Sequence, residues 1–232
     1  MSTEVNVSSE VQEKGKPSIF GFITSPVVQF EKMKSNPVIW GPLLLILILT
    51  AATTILAVYT PQAQEALQQQ KEAGIEVNST FSMIGGAIGG AIGGVIAVVA
   101  TLAFTSLILF LIAKLGTGKT TYRQMFSLNL FVTFITTIGQ LINTGVAALA
   151  HTSANVTSLN GMVGAKGAMG GVFNSIEIFS IWGLILTAVG LQKVANVSKA
   201  ASIITVIILF ILGAAISGVG GAASEALKGA GL

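Results

Sequence analysis

Residues 83–113 read MIGGAIGGAIGGVIAVVATLAFTSLILFLIA, 31 residues without one charge. A helix of that length reaches about 46 Å at ~1.5 Å per residue, well beyond the ~30 Å of hydrocarbon in a bilayer. The stretch predicts a membrane helix that tilts, bends or projects past the bilayer. Four further apolar stretches accompany it: Val38–Tyr59, Phe126–Leu149, Val172–Leu191 and Ala200–Val219. Each is near the ~20 residues that a crossing helix needs. The fold class read from the sequence is an all-α membrane protein. Its transmembrane domain, residues 36–220, is a bundle of five helices preceded by a short amphipathic interfacial helix.

Composition points the same way. The chain has 232 residues and only 21 charges, 12 Lys+Arg and 9 Glu, with no Asp, no Cys and one His. Charged residues make up 9%, where a soluble domain carries about 25%. A chain that is 52% hydrophobic is neither disordered nor a coiled coil. The absence of Cys excludes thiolate catalysis, disulfides and thiolate-ligated metals. No nucleophile–base pair, metal cluster or paired carboxylates can be assembled, so neither an enzyme nor a cofactor is expected. A net charge of +3 is too small to suggest nucleic acid.

The charges set an orientation. Residues 1–18 form a polar arm. Residues 19–35 predict the interfacial helix, with Ser25 as cap, Pro26 in the first turn and a stop before Pro37. Val27, Phe30 and Met33 share one face, and Gln29, Glu31, Lys32 and Lys34 fall elsewhere. With Lys14 and Lys16, the loops after spans two and four add Lys114, Lys119, Arg123, Lys193 and Lys199. That is nine basic residues on one side against three, Lys71, Lys166 and Lys228, on the other. The bias predicts a cell-membrane protein with a cytoplasmic N-terminus and an outside C-terminus. The outer segments are expected to be a short exposed helix within 60–80, a flexible loop over 151–171, and a tail at 221–232.

Three features invite a functional reading. Gly85, Gly89 and Gly93, and likewise Gly86, Gly90 and Gly94, recur every fourth residue and predict close helix packing. Residues 113–120, AKLGTGKT, imitate a relaxed phosphate loop. Such a loop needs a preceding strand, and a membrane helix precedes this one, so no nucleotide is expected. Glu177 is the only acidic residue read inside a span. Acidic side chains there usually face protein or water and find a partner. Asn174 on its own helix, with Asn143 and Gln140 of span three at similar depth, predicts an intramembrane polar cluster. That cluster is either a structural hydrogen-bond knot or a site for a proton, a cation or a small substrate.

Three pieces together resemble the Yip family, five-span membrane proteins named for interaction with Ypt/Rab GTPases. They are ITSPVVQFEKMKSNPVIWGPLLL, KLGTGKTTYRQMFSLNLF and FSIWGLILTAVGLQKVANVSKAASI, in that order over residues 19–217. The resemblance implies a five-helix bundle with a cytoplasmic N-terminus and no catalytic residue. Some bacterial relatives look like accessory proteins of ABC-type exporters. The short arm, short loops and lack of Cys suggest a bacterial source, which leaves a GTPase partner in doubt. The expected function is a non-enzymatic accessory or scaffold protein, partnered by the lipid bilayer and by another membrane complex, with an ABC-type exporter as the expected class, or by itself. A small transporter or channel built on Glu177, and a homo-oligomer that shapes the bilayer, are the alternatives.

Overall fold

The computed structural model describes residues 15–72, 79–116, 119–152 and 155–229. Expectations placed on residues 1–14, 73–78, 117–118 and 230–232 lie outside these.

The N-terminal helix comes in two pieces. α1 (Ile19–Thr24) is capped by Ser18, whose Oγ accepts from the Gly21 amide. α2 (Pro26–Ser35) opens on Pro26, where a missing amide hydrogen costs no helical bond. Among the described residues five helices are long and apolar enough to cross a membrane. They are α3 (Trp40–Ala57), α5 (Ser79–Gly116), α6 (Tyr122–Ala150), α9 (Ile178–Ala195) and α10 (Lys199–Gly229). Between α3 and α5 lies the expected exposed helix, α4 (Pro61–Glu72). α6 begins on a reciprocal cap, with Thr121 Oγ1 accepting from the Gln124 amide and Gln124 Oε1 from the Thr121 amide. α9 ends at Asn196 in the left-handed conformation, φ 53°, which Asn tolerates.

α6 is the axis of the bundle. α3, α5 and α9 pack around it, and α10 packs on α9. α5 and α10 have at most marginal contact among the described residues. The core sits at the end of the bundle that carries the basic loops. There Phe22 meets Phe30 edge-on at 5.1 Å and Phe131 at 5.4 Å between centroids. Met33, Met125, Leu128, Leu191 and Val194 close around the three rings, all buried.

Three expectations change. Residues 151–171 hold two short helices, α7 (Leu159–Val163) and α8 (Gly167–Ser175). α8 lies along the far half of α10, and the reason is steric. A Cβ at Gly171 would overlap the Ser217 carbonyl, and one at Gly221 the Gly167 carbonyl. Glycine here permits backbone-to-backbone contact rather than mobility. Residues 221–229, read as tail, are therefore helical and belong to α10. Span four, read from Val172, begins only at Ile178, because the chain breaks between α8 and α9 at Ile176–Glu177.

The amphipathic face of residues 19–35 divides. Phe30 and Met33 point into the bundle and are fully buried, as is Phe22. Val27 is exposed, together with Phe20, Ile23 and Val28. Burying three large side chains against α6 and α9 removes more apolar surface from water than a lipid face of Val27 alone. α2 is also clamped by polar contacts. Lys193 Nζ pairs with Glu31 Oε1 at 3.1 Å, Lys34 Nζ donates to Asn196 Oδ1 at 2.9 Å, and Gln124 Nε2 donates to the Lys34 carbonyl at 2.6 Å. Lys32 is half-buried beside them.

Candidate functional site

Glu177 is not within a spanning helix. It is the N-cap of α9, in extended conformation, and 6% exposed. Four donors converge on its carboxylate. Oε1 accepts from Thr157 Oγ1 at 2.6 Å and from the Phe179 amide at 3.0 Å. Oε2 accepts from the Ser180 amide at 2.7 Å and from Ser180 Oγ at 2.9 Å. Two of these are the orphan amides of a helix start, and the positive end of the helix dipole favours the anion. Burial alone would raise the carboxyl pKa, but the Thr157, Phe179 and Ser180 hydrogen bonds outweigh it and hold it below the ordinary value.

Glu177, Asn143 and Asn174 do not bond to one another directly and are connected through residues that the sequence reading passed over. Thr157 sits between Glu177 and Asn143. Its amide donates to Asn143 Oδ1 at 3.0 Å, and Asn143 Nδ2 donates to Thr157 Oγ1 at 2.6 Å. Ser158 Oγ reaches Asn174 Oδ1 at 3.2 Å. A short antiparallel bridge ties the two segments, with the Leu159 amide donating to the Ile176 carbonyl and the Ile178 amide to the Thr157 carbonyl. Gln140, one turn deeper on α6, bonds to none of these groups. No periodicity marks Thr157 or Ser158, since both come from a loop.

Below the knot lies a cavity of about 1100 Å³ between α3, α5, α6, α9 and α10. Its walls carry Thr53, Thr101, Thr105, Thr133, Thr136, Gln140, Ser180 and Thr187 among others, with Glu177 at the far end. Among the described residues no Lys, Arg or His lines it. Along α6 it runs from Asn129 to Ala147, roughly 27 Å of helix at 1.5 Å per residue. Asn129 bonds across to α5, donating to the Leu102 carbonyl at 3.2 Å and to Ser106 Oγ at 3.0 Å. Beneath it the rings of Phe22, Phe30 and Phe131 fill the basic end.

The glycine ladder is used on one side only. Cβ atoms at Gly90 and Gly94 would touch Thr54 and Thr50 of α3 at ordinary contact distance. Gly85, Gly86, Gly89 and Gly93 face open space. The phosphate-loop imitation is helical through Gly116, with Ala113 fully buried, where a phosphate cradle would need a strand and a turn. Among the described residues no three His or Glu side chains gather as metal ligands.

Comparison with known proteins agrees with this architecture. Residues 20–220 match the Yip1 domain family. The chain is 38% identical over 217 residues to the membrane protein YknW of Bacillus subtilis (strain 168), covering 90% of this chain and 92% of that protein. No solved structure matches. A domain match across nearly the whole bundle, with a bacterial relative of the same length, makes this chain a bacterial member of the Yip family.

Proposed function

We propose that this protein is a non-enzymatic accessory subunit that docks on a larger membrane complex, with an ABC-type exporter as the partner class that the Yip resemblance implies. It sits in the cell membrane with the basic end in the cytoplasm. The observation that carries the reading is the outward face of α5. Gly85, Gly89 and Gly93 make a stripe with nothing against it, beside a row of exposed Ile84, Ile88, Ile92 and Ile96. Small-residue stripes let a second helix approach closely in lipid, where packing rather than water drives association. The transporter reading loses its main support, because the four hydrogen bonds of Glu177 leave no free carboxylate for a proton or cation.

Affinity capture from mild detergent, read by mass spectrometry, tests this. The expected result is consistent co-recovery of one membrane complex, lost on Gly89→Leu with Gly93→Leu while the bundle still folds. Recovery of the chain alone from native membranes would overturn it.

A further inference from the structure

The cavity between the five helices carries chemistry that packing does not use. Thr101, Thr105, Thr133, Thr144 and Gln140 line it, and their side chains hydrogen-bond to no other described protein group. Asn155 Oδ1, at the far end of the cavity, is buried and without a partner among the described residues. In hydrocarbon each such group must find a partner. Other threonines of the bundle, some of them in the cavity wall, do so on their own helix: Thr53, Thr54, Thr136, Thr137, Thr187 and Thr205 all bond back to a carbonyl three or four residues earlier. Thr101, Thr105, Thr133, Thr144 and Gln140 make no such bond.

The lining is uneven. Hydroxyls and amides come from α3, α5, α6, α9 and the far end, whereas the α10 wall is Leu209, Phe210, Gly213, Ala214 and Ile216, with Ser217 its one hydroxyl. α5 and α10 have at most marginal contact, so a lateral entrance from the bilayer would lie beside this wall. A polar recess with an apolar side entrance matches a molecule that is itself polar at one end and apolar at the other. No basic residue lines the recess, and Glu177 is already fully hydrogen-bonded. A phosphate would find no counter-charge here, whereas neutral hydroxyls would find both donors and acceptors. A volume of about 1100 Å³ is at the upper end of small-ligand pockets.

We infer that this cavity binds a lipid with a neutral, hydroxyl-rich headgroup, which enters sideways between α5 and α10. The headgroup meets Thr105, Thr133 and Gln140, and the acyl chains leave along Leu209 and Phe210.

The full chain, extracted in a sugar-free detergent and placed in phosphatidylglycerol nanodiscs, is exposed to three photoactivatable probes: a monoglucosyl diacylglycerol, a diacylglycerol and a phosphatidylglycerol. The expected result is preferential cross-linking of the glucosyl probe to residues 101–109 and 209–217. Gly213→Phe should abolish it, since a Cβ at Gly213 meets open space and the ring would fill the recess without disturbing packing. Thr105→Val, which keeps the shape and removes one hydrogen-bond partner, should lower the labelling by about fivefold, so the inference stays testable if the bulky variant misfolds. Equal labelling by all three probes, labelling unchanged in both variants, or full competition by free methyl glucoside would each overturn it, the last by making the ligand a soluble sugar.

Discussion

Glu177 shows how a carboxylate that reads as lying inside a span can sit at the start of a helix and cap it. Read as an intramembrane acid, it invited a proton or a substrate. Placed at the start of α9, it satisfies two helix amides and two hydroxyls at once. Glu177→Ala should cost about 2 kcal/mol, combining a lost cap with donors left unpaired. Glu177→Gln, which keeps one acceptor, should cost less. Thermal unfolding in detergent measures both. The pH dependence follows from the lowered pKa. The group contributes stability above its unfolded value, near 4.5, and that contribution is lost as pH falls through the still lower folded value. The wild-type melting temperature should therefore drop below pH 4.5 by an increment that Glu177→Gln does not show. Asn143 was legible from its depth on span three, but the shared helix face read for Asn174 and Glu177 does not exist, because Asn174 lies on α8 across the break at Ile176–Glu177. Thr157 and Ser158 were not, because loop residues reach a site by tertiary folding and leave no period behind.

At the scale of elements, glycine has two opposite uses in this chain. In α5 most of the ladder faces open space, so Gly85→Ala should stabilise the helix by up to about 1 kcal/mol. In α8 the glycines sit against backbone, so Gly171→Ala should destabilise by about 2 kcal/mol through overlap with the Ser217 carbonyl. Paired melts in one detergent should give opposite signs. Sequence spacing marked the ladder and missed the α8–α10 contact, since Gly167, Gly170 and Gly171 read as loop composition. The five spans were legible because apolar length alone decides them. Their ends were not: α9 starts late and α10 ends late, where caps and contacts rather than hydropathy set the limit. Helix at residues 19–35 was legible from its cap and prolines, but which of its apolar side chains would be buried depends on α6 and α9, which no local pattern records.

For the whole molecule, the charge count and the fold point to the same two ends. Lys34 and Lys193 make contacts within the basic end, beside the loops that carry Lys119 and Arg123, while Lys71 lies on α4 at the opposite end. The chain has no Cys, so a single introduced one reports cleanly. With the basic end in the cytoplasm, Lys71→Cys should react with a membrane-impermeant maleimide on intact cells and Lys119→Cys only after permeabilisation. The reverse pattern would invert the proposed topology. The clamp between α2 and α9 has one more effect. Lys34 and Asn196, like Glu31 and Lys193, are 162 residues apart in the chain. The first helix made thus waits for almost the last one inserted. A chain that ends before α9 therefore leaves Phe22, Phe30 and Met33 without much of their cover, an apolar cluster at the basic end that the completed bundle hides.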